Sequence, residues 1–419
     1  MSTPSASPCR QQVLVLDPGL KDSRTHHHAI NRNLAAYAAG LTTGIRVASH
    51  RRAIAAEFPY PATPVFRRGI YEDSPALDAA AFAAIVDDHM RDIAQVLATP
   101  YPTAVVVHTA TAAFLQALGS TLAAGGHQVG SAVIQLMFHP LGLAVGEVDP
   151  EASMARYADA FRRLRQAERQ CGTSVHLSTS CREFAQAFAG LGAGVVDVHP
   201  YALLAEAERM EWLQRRPATR TVAGSARRRA LLFAGDLKLD KGIAWVAAAL
   251  PTLLAEHHDV DFFVHLADNR FADRRLDVLR RHVVEVAARW PHLRVVEGHI
   301  APRDWDGMIA AADFLLIPYD PGAYRWKTSG LFWEALLKGR PGTVIAVTKG
   351  TWMEREAGAM TIDIATVEFG NTAELSAVLR RTSGATDGTH GTHGMMPPPQ
   401  PCLARGNDDY IFARLGRLA

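Results

Sequence analysis

The chain has 419 residues, 48% of them apolar and 21% charged, which excludes a wholly disordered chain, a collagen and a coiled coil. Its length suits two α/β domains. Lys and Arg number 44 against 42 Asp and Glu, and the resulting charge of +2 argues against nucleic acid as a partner of the whole surface.

Taken in chain order, 13–16 is a short apolar run ended by Asp17-Pro18-Gly19 and predicts a buried strand. Helical spacing follows over 29–39, then a strand at 44–49 and an Arg- and Pro-rich loop over 50–77. A helix at 78–97, a strand at 104–107 ending at His108, a helix at 112–124 and a strand at 131–138 ending at His139-Pro140 continue the alternation. Helix 151–170, strand 174–177, helix 181–189 and strand 195–198 close a first domain, 1–204.

Residues 205–229 crowd Arg209, Arg215, Arg216, Arg220 and Arg227 to Arg229 around a Gly-Ser stretch, and read as a solvated basic linker rather than a nucleic-acid or lipid patch. Alternation restarts in a second domain, 230–381, with strands at 231–234, 261–266, 293–296, 314–317 and 344–347 and helices at 242–254, 274–288, 305–311 and 329–338. The segment 382–406 is rich in Gly, Thr, His and Pro and reads as a mobile loop, in which His390 and His393 make a poor metal site. A short helix is expected within 407–419.

Four cysteines without a C-x-x-C pair are too few for a disulfide framework and suit a reducing compartment. No apolar run approaches the ~18 residues of a membrane span, and the first residues lack the apolar stretch of a leader. A cytoplasmic location is expected, with peripheral membrane contact and oligomeric state left open.

Two β/α series imply two doubly wound Rossmann-like domains facing across a cleft, with ligands beyond the carboxyl ends of the strands. In the second domain the run G-D-L-K-L-D-K-G, 235–242, offers glycines for close backbone approach and Lys241, with Lys238, as phosphate-seeking charges; an ordinary solvated turn is the equal alternative. Thr328-Ser329-Gly330 marks a helix start, where free N–H groups and the dipole hold phosphate, with Arg325 and Lys327 alongside. Glu334 lies one turn further on the same face, where it can accept from a ribose.

In the first domain the residues at strand ends are Gly19, His108 and His139, with His26, His27 and His28 at a helix start. Adjacent histidines on a helix diverge by about 100°, so no metal site is expected there. A satisfied structural histidine is one open reading of His139.

The run 235–242, I-A-P-R-D-W, A-A-D-F-L-L-I-P-Y-D-P and T-S-G-x3-E-A-L-x2-G-R-P together resemble the C-terminal half of retaining GT-B glycosyltransferases, and more narrowly the "glycosyl transferases group 1" set, family four. The resemblance covers about 229–360. It implies that Lys241 contacts the donor diphosphate, that the amides of Ser329, Gly330 and Leu331 cradle it, and that Glu334 holds the ribose. His299 would flank the nucleobase. Lys238, Lys327 and Thr328 would support the diphosphate, and Gly19, His28 and His139 would face donor and acceptor. The chain departs from the family at Asp236, usually Arg, and at Trp326, usually the first Glu of a Glu-x7-Glu pair.

The expected activity is transfer of a sugar, with retention, from a nucleotide-diphosphate donor to a carbohydrate or glycolipid acceptor. The nucleotide sugar is a substrate, and neither a cofactor nor a metal is expected. An inactive GT-B scaffold that binds carbohydrate or protein is the alternative, supported by Asp236 and Trp326. A dinucleotide-dependent oxidoreductase is disfavoured, because neither leading βα turn reads G-x-G-x-x-G.

Overall fold

A computed structural model describes residues 12–23, 25–41, 43–72, 78–98, 103–141, 149–199, 203–215, 228–268, 273–340, 342–381 and 405–416. The chain divides into two compact units, Met1–Gln214 with Pro401–Ala419, and Arg215–Gln400.

The first unit runs β1 (Gln12–Asp17), α1 (His26–Gly40), β2 (Gly44–His50), β3 (Ala62–Phe66), α2 (Ala79–Leu97), β4 (Thr103–Val107), α3 (Ala112–Ala123) and β5 (Val129–Leu136). It continues through α4 (Pro150–Cys171), β6 (Ser174–Thr179), α5 (Arg182–Phe188), β7 (Val196–Val198) and α6 (Glu206–Arg215). The seven strands lie parallel in the order β3-β2-β1-β4-β5-β6-β7. Strands covered on both faces read as unbroken apolar runs, and β4 is buried at every residue. The strand order reverses between β1 and β4, so a crevice opens beyond their carboxyl ends.

The second unit runs β8 (Arg229–Phe233), α7 (Ile243–Glu256), β9 (Val260–Leu266), α8 (Arg274–Ala287), β10 (Leu293–Glu297), α9 (Pro302–Ala311) and β11 (Phe314–Ile317). Then follow α10 (Gly330–Lys338), β12 (Val344–Thr348), α11 (Trp352–Ala359), β13 (Ala365–Val367) and α12 (Thr372–Arg381). Its six strands are parallel in the order β10-β9-β8-β11-β12-β13, with the reversal between β8 and β11.

The structure differs from the sequence reading in four places. The expected loop 50–77 contains β3, an edge strand beside β2, where Pro64 is tolerated because an edge leaves one side of the ladder free. Helix α1 begins three residues early, at His26, which brings His27 and His28 into its first turn. Within the expected linker, 206–215 is helical, while 216–227 lie outside the described residues. Elements α11, β13 and α12 were not assigned from the sequence.

The expected loop 382–406, with His390 and His393, lies outside the described residues apart from 405 and 406. A last helix, α13 (Asn407–Arg414), belongs to the first unit. Tyr410, Ile411, Phe412 and Leu415 join the core of that unit with Leu34 and Ala38. Tyr37 donates to Asp409 at 2.7 Å, Gln135 to Asn407 at 2.7 Å, and the Tyr410 ring stacks on His199 at 4.3 Å. Among the described residues no helix is long and apolar enough to cross a membrane.

Two buried histidines of the first unit make it acid-sensitive. His89, in α2, sits between the rings of Phe66 and Phe114, and neither of its ring nitrogens has a hydrogen-bond partner. Burial pushes its pKa down to about 4, and burial does the same to His199. The unfolded chain takes up these protons near 6.5, whereas the native state does not. They therefore leave the fold unpenalised above pH 6.5 and destabilise it as pH falls towards 4, by about 3 kcal/mol for each histidine. Urea midpoints measured across that range should fall, and His89→Leu, which removes two unpaired polar atoms, should raise stability by about 1–2 kcal/mol and flatten the slope. An equally steep slope in that variant would refute the account.

Candidate functional site

In the second unit the crevice at the β8/β11 reversal is built by the turn 235–242. Gly235 has φ +133° and Gly242 φ +80°, the left-handed region that glycine enters without strain. A Cβ on Gly242 would stand 1.9 Å from the Pro318 carbonyl oxygen, so the turn is pressed against the exit of β11. The Asp320 amide also donates to the Asp240 carbonyl at 2.9 Å. A 3-10 turn, Leu239–Lys241, then ends at Gly242.

The Lys241 ammonium lies 5.7 Å from the centre of the Tyr319 ring and 3.5 Å from Asp236 Oδ2. Lys238 Nζ is 3.7 Å from the same carboxylate oxygen. Burial alone would lower the Lys241 pKa, but Tyr319, Asp236 and Asp240 more than offset it and hold the pKa above its ordinary value. Asp236, where the family carries Arg, thus balances two lysines. Its side chain is 63% exposed, so the pairs are weak and either ammonium can turn to an incoming anion.

Ser329 caps α10, accepting from the Phe332 amide at 3.4 Å while its hydroxyl donates to the Tyr319 hydroxyl at 3.5 Å. Tyr319 therefore joins the Lys241 turn to the start of α10. The first-turn amides of a helix have no intrahelical acceptor, and Gly330 is exposed at that end, whereas Leu331 is buried. Lys327 Nζ reaches Asp240 Oδ2 at 3.3 Å, and Thr328 is half-buried beside it.

Glu334 is buried. The Trp305 indole N–H donates to its Oε2, and Lys338 Nζ lies 3.7 Å from the same oxygen. A ribose would share a carboxylate that Trp305 already orients. His299 is exposed on the turn after β10. Trp326 is flanked by the guanidinium groups of Arg325 and Arg355 at 5.1 and 5.8 Å.

Sequence reasoning missed His265. The Gly235 amide donates to its Nδ1 at 3.5 Å and its Nε2–H donates to the Gly298 carbonyl at 2.8 Å, so one neutral ring ties together the turns after β8 and β10. Burial lowers its pKa, which keeps that tautomer uncharged. The signal was a histidine at the penultimate position of V-D-F-F-V-H-L, inside the strand rather than after it.

In the first unit the crevice at the β1/β4 reversal is occupied by a buried polar cluster. Asp17, the last residue of β1, accepts from His27 Nδ1 at 2.7 Å, His108 Nε2 at 3.1 Å, Asn31 Nδ2 at 2.7 Å and the Gly19 amide at 3.0 Å. Burial opposes its charge, but His27 and His108 outweigh that and hold its carboxyl well below the usual range. His27 Nε2 meets the Tyr71 hydroxyl at 2.9 Å, which in turn meets His26 Nε2 at 3.1 Å.

Gly19 is required here by packing: a Cβ would stand 2.1 Å from Cε1 of the His27 ring. His28 packs on Phe58 and Tyr60, with its Nδ1 3.0 Å from the Tyr60 hydroxyl. Burial and then Arg32 lower its pKa. His139 is buried with its ring centre 5.1 Å from that of Phe184 in a T-shaped pair, and its Nδ1 accepts from the Leu141 amide at 3.2 Å, which leaves Nε2 to carry the proton.

No family model matches the chain. No curated protein matches it by sequence. Among solved structures, a trehalose-6-phosphate synthase described with bisubstrate glycomimetics, in a study of glycosyltransfer with retention, is 11% identical and gives a TM-score of 0.57, covering 97% of this chain and 94% of its own. An E. coli trehalose-6-phosphate structure bound with UDP-2-fluoro glucose is 11% identical, with a TM-score of 0.56 over 97% of this chain and 94% of its own. A UDP-forming alpha,alpha-trehalose-phosphate synthase from Burkholderia xenovorans is 12% identical, with a TM-score of 0.56 over 98% of this chain and 96% of its own. At such identity the likeness speaks for the fold, and the fold of this chain, two doubly wound parallel α/β units, is that of GT-B.

Proposed function

We propose that the protein is a nucleotide-sugar-dependent glycosyltransferase that retains anomeric configuration, with the donor diphosphate held at the β8/β11 reversal. The observation that carries this reading is the convergence of the Lys241 ammonium and the Ser329-capped start of α10 on one residue, Tyr319. Departure of a nucleoside diphosphate builds negative charge on its phosphates. Lys241, with Lys238 and Lys327 nearby, and the amides of Ser329, Gly330 and Leu331 would stabilise that charge as it forms.

The anomeric carbon becomes oxocarbenium-like. The acceptor hydroxyl attacks from the face the diphosphate leaves, and its proton passes to the leaving phosphate. Such a step needs no side-chain nucleophile, and protein cations and amides supply the stabilisation that a metal would otherwise give. Glu334, oriented by Trp305, would take the ribose hydroxyls, and His299 would border the base. Gly19, His28 and His139 stand on the acceptor side of this reading, and the acceptor is a carbohydrate or a glycolipid. A lipid-linked acceptor would bring the protein to the inner face of a membrane from the cytoplasm.

UDP is the first nucleotide to test, because similarly folded structures are described with it. In a thermal-shift series of UDP, GDP and ADP, one nucleotide should raise the melting temperature by several degrees, and three flat responses would refute the proposal. The second reading, an inactive GT-B scaffold, is favoured by Asp236 and Trp326. Hydrolysis of a nucleotide sugar by the purified protein, lost in Glu334→Ala, would exclude it.

A further inference from the structure

We propose that Asp17, His27 and His108 bind a divalent transition-metal ion of the zinc class, through one Asp17 carboxylate oxygen, His27 Nδ1 and His108 Nε2. The three residues are buried, and one nitrogen or oxygen of each lies within 4.8 Å of the others. They come from different elements, the end of β1, the first turn of α1 and the exit of β4, so the fold and not local sequence assembles them. They stand at the strand-order reversal of the first unit, where doubly wound sheets place ligands.

The outer contacts suit ligation. A metal-holding imidazole characteristically engages its second nitrogen with an acceptor that fixes the tautomer. His27 Nε2 has the Tyr71 hydroxyl at 2.9 Å and His108 Nδ1 has the Thr109 hydroxyl at 3.2 Å. Each hydroxyl can accept, so both rings can carry their proton outward and turn a lone pair inward at once. Asp17 is held in place by the Asn31 amide and the Gly19 N–H.

Without an ion, the inner nitrogens stand 2.7 and 3.1 Å from the Asp17 carboxylate oxygens, within hydrogen-bond distance. On binding, any proton on an inner nitrogen passes to solvent or, by way of it, to the outer nitrogen of the same ring, and no redox change accompanies the step. Two imidazoles and one carboxylate favour zinc, cobalt or nickel over magnesium or calcium, which prefer all-oxygen shells. The ion would tie β1, α1 and β4 together. The site does not depend on the nucleotide reading, because its ligands all belong to the first unit.

The test uses tag-free full-length protein carrying His390→Ala and His393→Ala, stripped with a chelator and titrated with Co2+ and then Zn2+. One equivalent of Co2+ should bind with visible ligand-field absorption, should be displaced by Zn2+, and should survive His26→Ala. In His108→Gln the affinity should fall by more than the roughly 10–100-fold that outer-shell changes cause. Zn2+ in excess should raise the melting temperature by about 5 °C. Should His108→Gln fail to fold, X-ray absorption on the folded parent decides: two imidazole ligands support the site, and fewer overturn it. Absence of stoichiometric Co2+ uptake, or uptake unchanged in folded His108→Gln, also overturns it.

Discussion

Lys241→Ala should weaken nucleoside-diphosphate binding by roughly 10- to 100-fold, since a hydrogen bond to a charged group contributes about 1.5–3 kcal/mol. Because Tyr319, Asp236 and Asp240 hold the Lys241 pKa above its ordinary value despite burial, the ammonium stays charged throughout the neutral range. Binding should therefore show no loss from Lys241 deprotonation as pH rises through 9. Lys241→Arg should rescue little: a planar guanidinium is broader than an ammonium, and the lysine side chain already lies 3.4 Å from where a Cβ on Gly235 would stand. Calorimetric titration with UDP measures both variants. Wild-type affinity in Lys241→Ala would remove the main support for the proposed donor site.

Gly242→Ala should destabilise the second unit by about 3–5 kcal/mol, combining left-handed strain with a backbone collision. At φ +80° the alanine conformation is itself unfavourable, and its Cβ would meet the Pro318 carbonyl oxygen at 1.9 Å. Carbonyl and turn cannot separate without disturbing the Asp320–Asp240 hydrogen bond, which sets the geometry of Lys241. A domain is stable by only about 5–15 kcal/mol, so the variant should unfold at markedly lower urea. Gly235→Ala makes a useful contrast: its Cβ meets no backbone, only the flexible end of Lys241 at 3.4 Å, so it carries the strain of φ +133° without the collision and should cost less stability than Gly242→Ala. Equal urea midpoints for Gly242→Ala and the parent protein would contradict this.

The parallel strands were legible because doubly covered strands need continuous apolar runs, and V-L-V-L, A-V-V-V and F-L-L-I supply them. β3 was hidden by Thr63 and Pro64, residues that an edge position tolerates, and β13 by its three-residue length. In the second unit Lys241, Ser329 and Gly330 could be found because turn chemistry and helix starts are local. Trp305 and Tyr319 had no such signal, since their roles depend on partners 29 and 10 residues away. The Asp17 cluster was less legible still. Asp17 and His108 are 91 positions apart, and the H-H-H run drew attention to neighbouring side chains when only the middle one turns inward.

Helix α13 bears on how the protein is made. The core that receives Ile411 and Phe412 also contains Val13, Val15 and Leu34, near the other end of the chain. A ribosome must therefore polymerise the whole of Arg215–Gln400 before the earlier unit receives its closing element. The later-made unit, contiguous in sequence, can complete itself first, while the nascent amino-terminal portion waits with an uncovered apolar seam. That order makes the interval before release the vulnerable one, in which a holdase chaperone would have most to protect.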